Sequence, residues 1–340
     1  MTEQICLVPH LHGLGGPISF RAKLIQGLEK RGIKYTFDLS DLCNQAIPVN
    51  GGSRLLAALM RAKRRGVRIV QRLNGMNWLH KLEKTSLQAY LRSESANMLL
   101  TCIRRFISHK IAYQSEFSRT WWQSEHGQLN KPNQVIYNGI DLLEYSPLGS
   151  EKPPSDHYRV LLVEGHLSGA YARGLDTALQ LAVQLQQKVK KPLELMIVGD
   201  VPESLRVASQ QKAPGLRITW SGIVPRAGIP AIDRSAHLLF SADLNAACPN
   251  SVIEALACGL PVLAYDTGAL SELVRDGAGA VVPYGGDYWR LEAPDIPAIA
   301  AAAVHLLDHN AKYRLAARKR AESTFNLDHM VESYLEMLLG

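Results

Sequence analysis

Hydrophobic residues in the first part of the chain fall into short runs separated by segments of helical periodicity. Runs of this length between polar turns are typical of strands that are buried on both faces. We predict strands in this part at residues 5–9, 35–39, 67–73, 110–114 and 134–137. The alternation of strands and helices predicts a parallel sheet covered by helices on both faces.

A second series of strands and helices follows a polar, Pro-rich stretch at residues 146–158, which suits a linker. Strands and helices of this series are predicted at residues 159–164, 174–188, 193–199, 216–220, 229–235 and 238–241. A chain of 340 residues exceeds what one hydrophobic core usually serves, so two domains are expected. We predict two Rossmann-like domains at 1–150 and 151–322, followed by a helix at 323–340 that crosses back to the first domain.

Residues 248–274 place a helix start, an acid and a strand in an order typical of nucleotide-binding sheets. Asn250 or Ser251 is expected to cap a short helix that Gly259 ends, and a buried strand is predicted at 262–265. The free N–H groups at the start of such a helix could bind a diphosphate, and Glu254 one turn later could accept the hydroxyls of a ribose. The same features are common in any strand-helix unit, so a purely structural role for these residues stays open beside nucleotide binding.

A glycine-rich turn at residues 12–17 connects the first predicted strand to a helix predicted at 19–31. Glycines at such a turn let the backbone approach an anion closely. The pattern is neither GxGxxG nor a Walker loop, so by itself it is a weak signal.

Composition indicates a soluble protein without structural disulfides or metal clusters. The sequence lacks any run of about 18 apolar residues and any secretory signal pattern at its start, which favours a cytoplasmic location. The cysteines form no CxxC pair and are odd in number, which fits reduced thiols: Cys6, Cys43, Cys102, Cys248 and Cys258.

Positive charge is concentrated in the first half of the chain. Residues 1–150 contain 20 Lys and Arg against 10 Asp and Glu, whereas the remainder contains 18 against 21. Basic clusters at 61–72 and 104–105 could attract an anionic membrane surface or a phosphorylated acceptor, or could be a solvated face. A nucleic-acid partner is disfavoured because interleaved aromatics and known binding motifs are missing.

Several motifs together make the chain resemble a retaining glycosyltransferase of the GT-B fold, family 4. The resemblance covers nearly the whole chain and is carried by Gly15-Gly16, residues 71–75, 113–118 and 135–141, Gly174-Leu175-Asp176, Ile197-Val198-Gly199 and the segment from Glu254 to Glu272. It implies two Rossmann-like domains whose parallel sheets face a central cleft. It also implies transfer of a sugar from a nucleotide-sugar donor, held mainly by the second domain, to an acceptor held mainly by the first.

The activity implied by the resemblance retains the anomeric configuration and uses neither a metal ion nor another cofactor. The donor is expected to be a UDP-, GDP- or ADP-sugar, and the acceptor a glycan or a lipid-linked molecule. Cell-surface polysaccharide or glycolipid synthesis is the expected role, with a location at the inner face of a membrane.

Matching by position assigns donor-side roles to residues of the second domain. Glu254 corresponds to the second acid of the family's Glu-x7-Glu motif, whereas the first acid is replaced by Ala246, for which Asn245 or Asp243 could compensate. His166 and Arg173 stand in the places of the family's phosphate-binding Arg and Lys. We expect Arg173, His166 and Asn245 to be catalytic.

The remaining assignments concern both predicted domains. We expect the donor to contact Gly15, Gly16, Val224, Asn250, Ser251, Val252 and Glu254. Arg72 and Asn74 are expected on the acceptor side, and Asn138 is expected to be structural.

Two other classes stay open at this stage. Ala246 and His166 fit a non-catalytic relative that binds a nucleotide-sugar or a glycan and regulates a partner. An epimerase or phosphorylase of the same fold is the other alternative, although no lysine context for pyridoxal phosphate is evident.

Overall fold

A computed structural model of the chain describes residues 4–9, 15–83, 85–169 and 172–340. It divides into two compact units, one made of the residues up to Gly139 together with Leu327–Gly340, the other of Ile140–Asn326. No helix among the described residues has the length and apolar character needed to cross a bilayer.

In the described part of the chain, the first unit forms a six-stranded sheet in which every pair is parallel. Its strands are β1 Gln4–Cys6, β2 Lys34–Thr36, β3 Ala46–Asn50, β4 Arg68–Leu73, β5 Lys110–Tyr113 and β6 Asn133–Val135, in the spatial order β2-β1-β3-β4-β5-β6. Its first helices are α1 Gly16–Lys30, α2 Leu56–Arg64, α3 Leu87–Cys102 and α4 Glu116–His126, with a π-helical segment at Ile103–Ile107.

The second unit repeats this architecture with a second six-stranded parallel sheet in the described residues. Its strands are β7 Tyr158–His166, β8 Leu193–Asp200, β9 Arg217–Gly222, β10 Leu238–Ser241, β11 Val262–Tyr265 and β12 Gly279–Val282. Its helices are α5 Ala172–Gln186, α6 Glu203–Lys212, α7 Ile229–Arg234, α8 Asn250–Ala257, α9 Leu270–Leu273, α10 Ile296–Asp308 and α11 Asn310–Thr324.

The last helix, α12 Leu327–Leu339, packs in the first unit, as the sequence predicted. Its apolar residues Met330, Val331 and Tyr334 join a core with α1, and the Phe20 and Tyr334 ring centroids are 5.0 Å apart. Arg31 at the end of α1 pairs with acids of the first turns of α12. The helix therefore completes the core of a unit that begins more than 300 residues earlier.

The strand orders show where each sheet offers a ligand site. The second sheet runs β12-β11-β10-β7-β8-β9, which is the doubly wound dinucleotide-binding order, and its direction reverses between β7 and β10. The first sheet reverses between β1 and β3. Because loops leave in opposite directions at a reversal, the carboxyl ends of these strands border the crevice where open sheets bind ligands.

The unit boundaries lie at 139/140 and 326/327, where the sequence placed 150/151 and 322/323. Buried Tyr145 and the Arg318 side chain account for the first difference. Arg318 donates hydrogen bonds to the carbonyl oxygens of Leu142 (3.2 Å) and Tyr145 (2.8 Å), which ties this stretch to α11. At the second boundary, the Ile140 N–H donates to the Phe325 carbonyl at 2.7 Å, so these residues also belong to the second unit.

Candidate functional site

The candidate site lies in the second unit, at the carboxyl edge of the sheet where its order reverses. Three segments lie at this edge: the end of β7, the loop between β10 and α8, and the turn after β11. Because all these strands are parallel, the segments emerge on the same edge of the sheet.

The end of β7 is bent by an irregularity in its pairing with β8. The register shifts between Val163 and His166, and Gly199 on β8 approaches so closely that a Cβ there would collide with the Glu164 carbonyl oxygen. Bulges of this kind redirect side chains and are frequent beside functional sites. The bend therefore sets how Glu164 and His166 leave the sheet.

His166 is held at this edge by Asp200, which ends β8. Its Nδ1 lies 2.9 Å from the Asp200 Oδ2, and the Ser168 hydroxyl contacts its Nε2. Both side chains of the His166–Asp200 pair are about half exposed.

Glu164 and Asp243 form a pair of interacting carboxyl groups at the reversal of the sheet. Burial, and then the charge of Asp243, raise the pKa of Glu164 to about 8. Burial raises the pKa of Asp243 to about 6. Near neutral pH the pair therefore holds a proton, which makes one carboxyl a hydrogen-bond donor and halves the negative charge at this edge. Sequence analysis did not assign a role to Glu164.

Asn245, in the loop after β10, is buried without hydrogen-bond partners. Only 4% of its surface is exposed, its φ is 57°, and neither Oδ1 nor Nδ2 has a partner among the described residues. The hydroxyl of Thr267, a residue that is 2% exposed in the turn after β11, also has none. A buried polar group without a partner costs about 1–3 kcal/mol. These atoms point to a polar occupant, either water or a ligand hydroxyl.

The two loops that carry these groups are packed directly on each other. The Ala269 N–H donates to the Ala246 carbonyl at 2.8 Å. At Gly268 a Cβ would come within 2.6 Å of the Ala246 backbone, so only glycine permits this approach. Asn245 and Thr267 are therefore held on adjoining backbone segments.

Helix α8 begins at Asn250, but the prediction that Asn250 or Ser251 caps it is wrong. Pro249 is the N-cap residue, with extended backbone angles, and no side chain caps the helix. Pro249 fixes the chain direction by its ring, which replaces a side-chain cap. The predicted end is confirmed, because Gly259 adopts φ 68° and the Leu260 N–H bonds to the Ala255 carbonyl at 2.8 Å.

An N-terminus without a side-chain cap keeps the positive end of the helix dipole available to an anion. Val252 is fully buried, so any contact it makes with a ligand would come from its backbone. Ser251 is half-buried at the same turn.

Glu254 lies further along α8, on the side that faces Tyr145 and α7. Its charge raises the pKa of Tyr145 and of the buried Asp233, in each case after the larger effect of burial. The predicted ribose contact of Glu254 stays a prediction.

Arg173 is on the first turn of α5, next to the loop after β10. Its Nη1 donates a long hydrogen bond of 3.4 Å to the Leu291 carbonyl, and the adjacent Gly174 packs against Ala242. The guanidinium is exposed at the carboxyl edge of the sheet. Val224, the other predicted donor contact, is in the loop after β9, beside Gly228.

The predicted residues of the first unit are near the reversal of its own sheet. Gly15 is the N-cap of α1 and its carbonyl accepts from the Ile18 and Ser19 N–H groups, so the helix begins at Gly16 rather than near residue 19. Residues 12–14 of the predicted glycine-rich turn lie outside the described residues.

Arg72 is buried within the first unit. Its guanidinium donates to the side-chain oxygens of Asn50 (2.7 Å) and Asn138 (2.8 Å) and lies 4.0 Å from the centroid of the Phe20 ring. The Asn74 carbonyl accepts a 2.7 Å hydrogen bond from the Trp122 indole. These contacts give both residues a structural role, and their acceptor role stays a prediction.

The described residues contain no cluster of side chains suited to holding a metal ion. Within residues 4–9, 15–83, 85–169 and 172–340, no group of three or more His, Cys, Asp or Glu side chains is arranged to hold an ion. Metal independence itself stays a prediction.

The family match lies in the second unit. Residues 158–309 match the family model described as "Glycosyl transferases group 1". The chain is 32% identical over 89 residues to 2-deoxystreptamine N-acetyl-D-glucosaminyltransferase of Streptomyces fradiae and 28% identical over 116 residues to 2-deoxystreptamine glucosyltransferase of Streptomyces kanamyceticus. These matches cover 26% and 34% of this chain and only 20% and 29% of the relatives.

Solved structures resemble the chain over nearly its whole length. Sucrose-phosphate synthase of Thermosynechococcus elongatus has a TM-score of 0.72 at 16% identity and 98% coverage of both chains. HepE of Anabaena, solved with UDP and glucose, has a TM-score of 0.69 at 17% identity and 99% coverage of both. WaaG, a glycosyltransferase of lipopolysaccharide biosynthesis, has a TM-score of 0.71 at 14% identity, covering 99% of this chain and all of WaaG. With the two parallel sheets, these likenesses establish the predicted two-domain GT-B fold.

Proposed function

We propose that this protein transfers a sugar from a nucleotide-sugar donor to a glycan, a lipid-linked molecule or another acceptor. The family match of residues 158–309 supports a glycosyltransferase, and the HepE structure with UDP and glucose supports a nucleotide-sugar donor. The observation that carries the proposal is the N-terminus of α8, which no side chain caps, beside the unpartnered Asn245 at the reversal of the second sheet.

The donor diphosphate is proposed to bind at the start of α8, with Arg173 as its guanidinium partner. Backbone N–H groups of Asn250, Ser251 and Val252 supply the fixed dipoles, and Arg173 can bind a phosphate through two parallel hydrogen bonds. His166, held by Asp200, lies at the same edge of the sheet. No metal ion is required by this arrangement.

The nucleoside is proposed to bind beside the diphosphate. Glu254 accepts the ribose hydroxyls, and the backbone near Val224 contacts the base. The contact of Gly15 and Gly16 with the donor stays a prediction from the sequence.

The transferred sugar is proposed to bind over Asn245, next to Ala246, where the resembling family carries an acid. The amide can both donate and accept a hydrogen bond, so it satisfies sugar hydroxyls without adding charge. The Glu164–Asp243 pair keeps a proton near neutral pH, which lowers its repulsion of the diphosphate.

The proposed reaction retains the anomeric configuration. The bond between the anomeric carbon and the leaving phosphate oxygen breaks, and the acceptor oxygen forms its bond to that carbon on the same face. The acceptor proton passes to the leaving diphosphate, whose negative charge the α8 N–H groups and Arg173 stabilise. We infer a cytoplasmic enzyme of polysaccharide or glycolipid synthesis.

A donor screen tests the proposal directly. The purified chain is heated with UDP, GDP, ADP and their sugars, and a ligand that binds only the folded state raises the melting temperature. Donor turnover is then measured with EDTA present. We expect one nucleotide series to bind and turnover to survive EDTA. Turnover that needs added magnesium would contradict metal independence, whereas binding without any turnover would favour the non-catalytic alternative.

A further inference from the structure

Four large apolar side chains are exposed along one helix of the first unit. Leu87, Leu91 and Met98 on α3, and Phe106 in the π-helical segment that continues it, are between 58% and 74% exposed. We call these four residues the α3 stripe. At about 100° per residue, Leu87, Leu91 and Met98 fall within a sector of about 40°. They therefore form a line on one side of the helix.

The stripe is long enough to be a surface of its own. From Leu87 to Phe106 a helix advances about 28 Å at 1.5 Å per residue. The opposite side of α3 carries the contacts of the unit, through buried residues such as Asn97 and Leu100. Single exposed apolar residues are ordinary, but an aligned set of this size marks an interaction surface.

The surroundings of the stripe are strongly basic. Residues 51–110, which contain α2 and α3, include 13 Lys and Arg and only two acids, Glu83 and Glu94. Glu94 is engaged by His80 at 2.7 Å and lies 3.5 Å from Lys81. At about 100° per residue, Glu94 falls on the same side of α3 as Leu91 and Met98. This side of the helix therefore includes one carboxylate, which His80 and Lys81 already engage.

Two cations are in direct contact with the end of the stripe. Lys63 of α2 donates to the Phe106 carbonyl at 2.8 Å, and the Arg105 guanidinium lies 5.8 Å from the centroid of the Phe106 ring. Arg61 and Arg64, on the same helix as Lys63, are exposed. Lys63 and Arg105 thus place positive charge against the Phe106 end of the stripe.

We propose that the α3 stripe inserts into the surface of an anionic lipid membrane, while Lys63, Arg105 and the exposed arginines of α2 bind the phospholipid head groups. A helix with aligned apolar residues and flanking cations is the kind that lies in the plane of a bilayer surface. Each nearby cation also gains from the negative surface potential.

A second copy of this chain fits the surface less well. Pairing two stripes would bring two sets of the same cations together, and like charges across an interface oppose association. A nucleic acid would use the cations but would leave the aliphatic residues of the stripe without a partner. The observations therefore favour a membrane.

The proposal is argued from the first unit alone and depends on none of the donor chemistry. Its test is co-sedimentation of the full chain with vesicles of phosphatidylcholine, either alone or mixed with phosphatidylglycerol. The variants are the stripe change L91E/M98E, the cation change R61E/R64E, and the control L315E, which places the same charge on an exposed leucine of α11. Circular dichroism and melting curves confirm that each variant is folded.

The wild type and L315E are expected to bind the anionic vesicles, and each double variant is expected to bind about tenfold more weakly or worse. Neutral vesicles should retain little protein. Absence of wild-type binding to anionic vesicles would overturn the proposal. Equal binding of L91E/M98E and L315E would also overturn it, because the cations alone would then explain binding. A dimer that L91E/M98E dissociates, with no vesicle binding, would assign the stripe to self-association instead.

Discussion

The carboxyl edges of the two sheets use their polar residues in opposite ways. In the first unit, both Nη atoms of Arg72 donate hydrogen bonds, to Asn50 and Asn138, and its guanidinium lies against the Phe20 ring. In the second unit, Asn245 and the Thr267 hydroxyl are buried with no partner among the described residues.

The two cases differ in where the hydrogen-bond partner is. Arg72 finds partners within the folded chain, whereas Asn245 and the Thr267 hydroxyl find none among the described residues. A hydrogen bond within the folded chain offsets the free-energy cost of removing a buried polar group from water. Where the chain supplies no partner, that cost is offset only when water or a ligand forms the hydrogen bond. The two parts also differ in charge, because the first half of the chain is basic and the remainder is slightly acidic.

The largest expected effect is a loss of stability when Arg72 of the first unit is replaced. Arg72→Ala removes a buried guanidinium and leaves two buried amide oxygens with lost bonds, so we expect unfolding free energy to fall by about 3 kcal/mol. Urea unfolding measures it. Arg119→Ala, which removes a partly exposed arginine paired with Glu116, should change stability by less than about 1 kcal/mol. Equal effects of the two changes would contradict a structural role for Arg72.

The next effect is on donor affinity. Glu254→Ala should weaken binding of the nucleotide that the screen selects by about 1–3 kcal/mol, because a charged hydrogen-bond acceptor is removed. Calorimetric titration measures the affinity. Glu203→Ala removes an exposed glutamate on α6 of the same unit and should leave affinity unchanged. An unaltered affinity in the Glu254 variant would remove that residue from the site.

A smaller effect concerns pH and the Glu164–Asp243 pair. Because the folded-state pKa of Glu164 is raised to about 8, the folded chain binds more protons than the unfolded chain between about pH 4.5 and pH 8. The tighter binding of this proton by folded Glu164 stabilises the folded chain fully below that range. The stabilisation is lost as pH rises through about 8. In Glu164→Gln the free energy of unfolding should fall less steeply as pH rises from 5 to 9, as measured by urea unfolding. In the control Glu203→Gln it should fall as in the wild type. An unchanged slope in Glu164→Gln would show that folding does not raise the pKa of Glu164.

The smallest effect on stability is expected at Asn245. Asn245→Gly keeps the left-handed φ and removes a buried amide without a partner, so unfolding free energy should not fall. Transfer or donor hydrolysis should nevertheless fall by at least about tenfold, since the proposed sugar contact is lost. Full activity with unchanged stability would mean that water alone occupies the site.

Continuous apolar runs made part of the second unit predictable. The strands at 238–241 and 262–265 and the stop at Gly259 were predicted as found, because each depends on neighbouring residues only. Strand β3 was missed, since Pro48 interrupts a short run and argues against a strand. Pro48 still contributes to the sheet through its carbonyl, which accepts the Val8 N–H at 3.3 Å.

Long-range contacts explain what the sequence could not show about the site. The raised pKa of Glu164 depends first on burial and then on the charge of Asp243, which the pairing of β7 with β10 brings close from 79 positions away. The burial of Arg72 likewise depends on Asn138, in a different segment. Motif matching identified Asn245 as a replacement for an acid, but its lack of partners is visible only in the folded loop.

The most direct test of the central claim is hydrogen exchange of the full chain with and without the selected nucleotide. Binding at the reversal of the second sheet predicts slower exchange in peptides that cover 164–174 and 243–254, with the largest change at the first turn of α8. Slower exchange confined to the first unit, with residues 243–254 unchanged at saturating nucleotide, would contradict the claim.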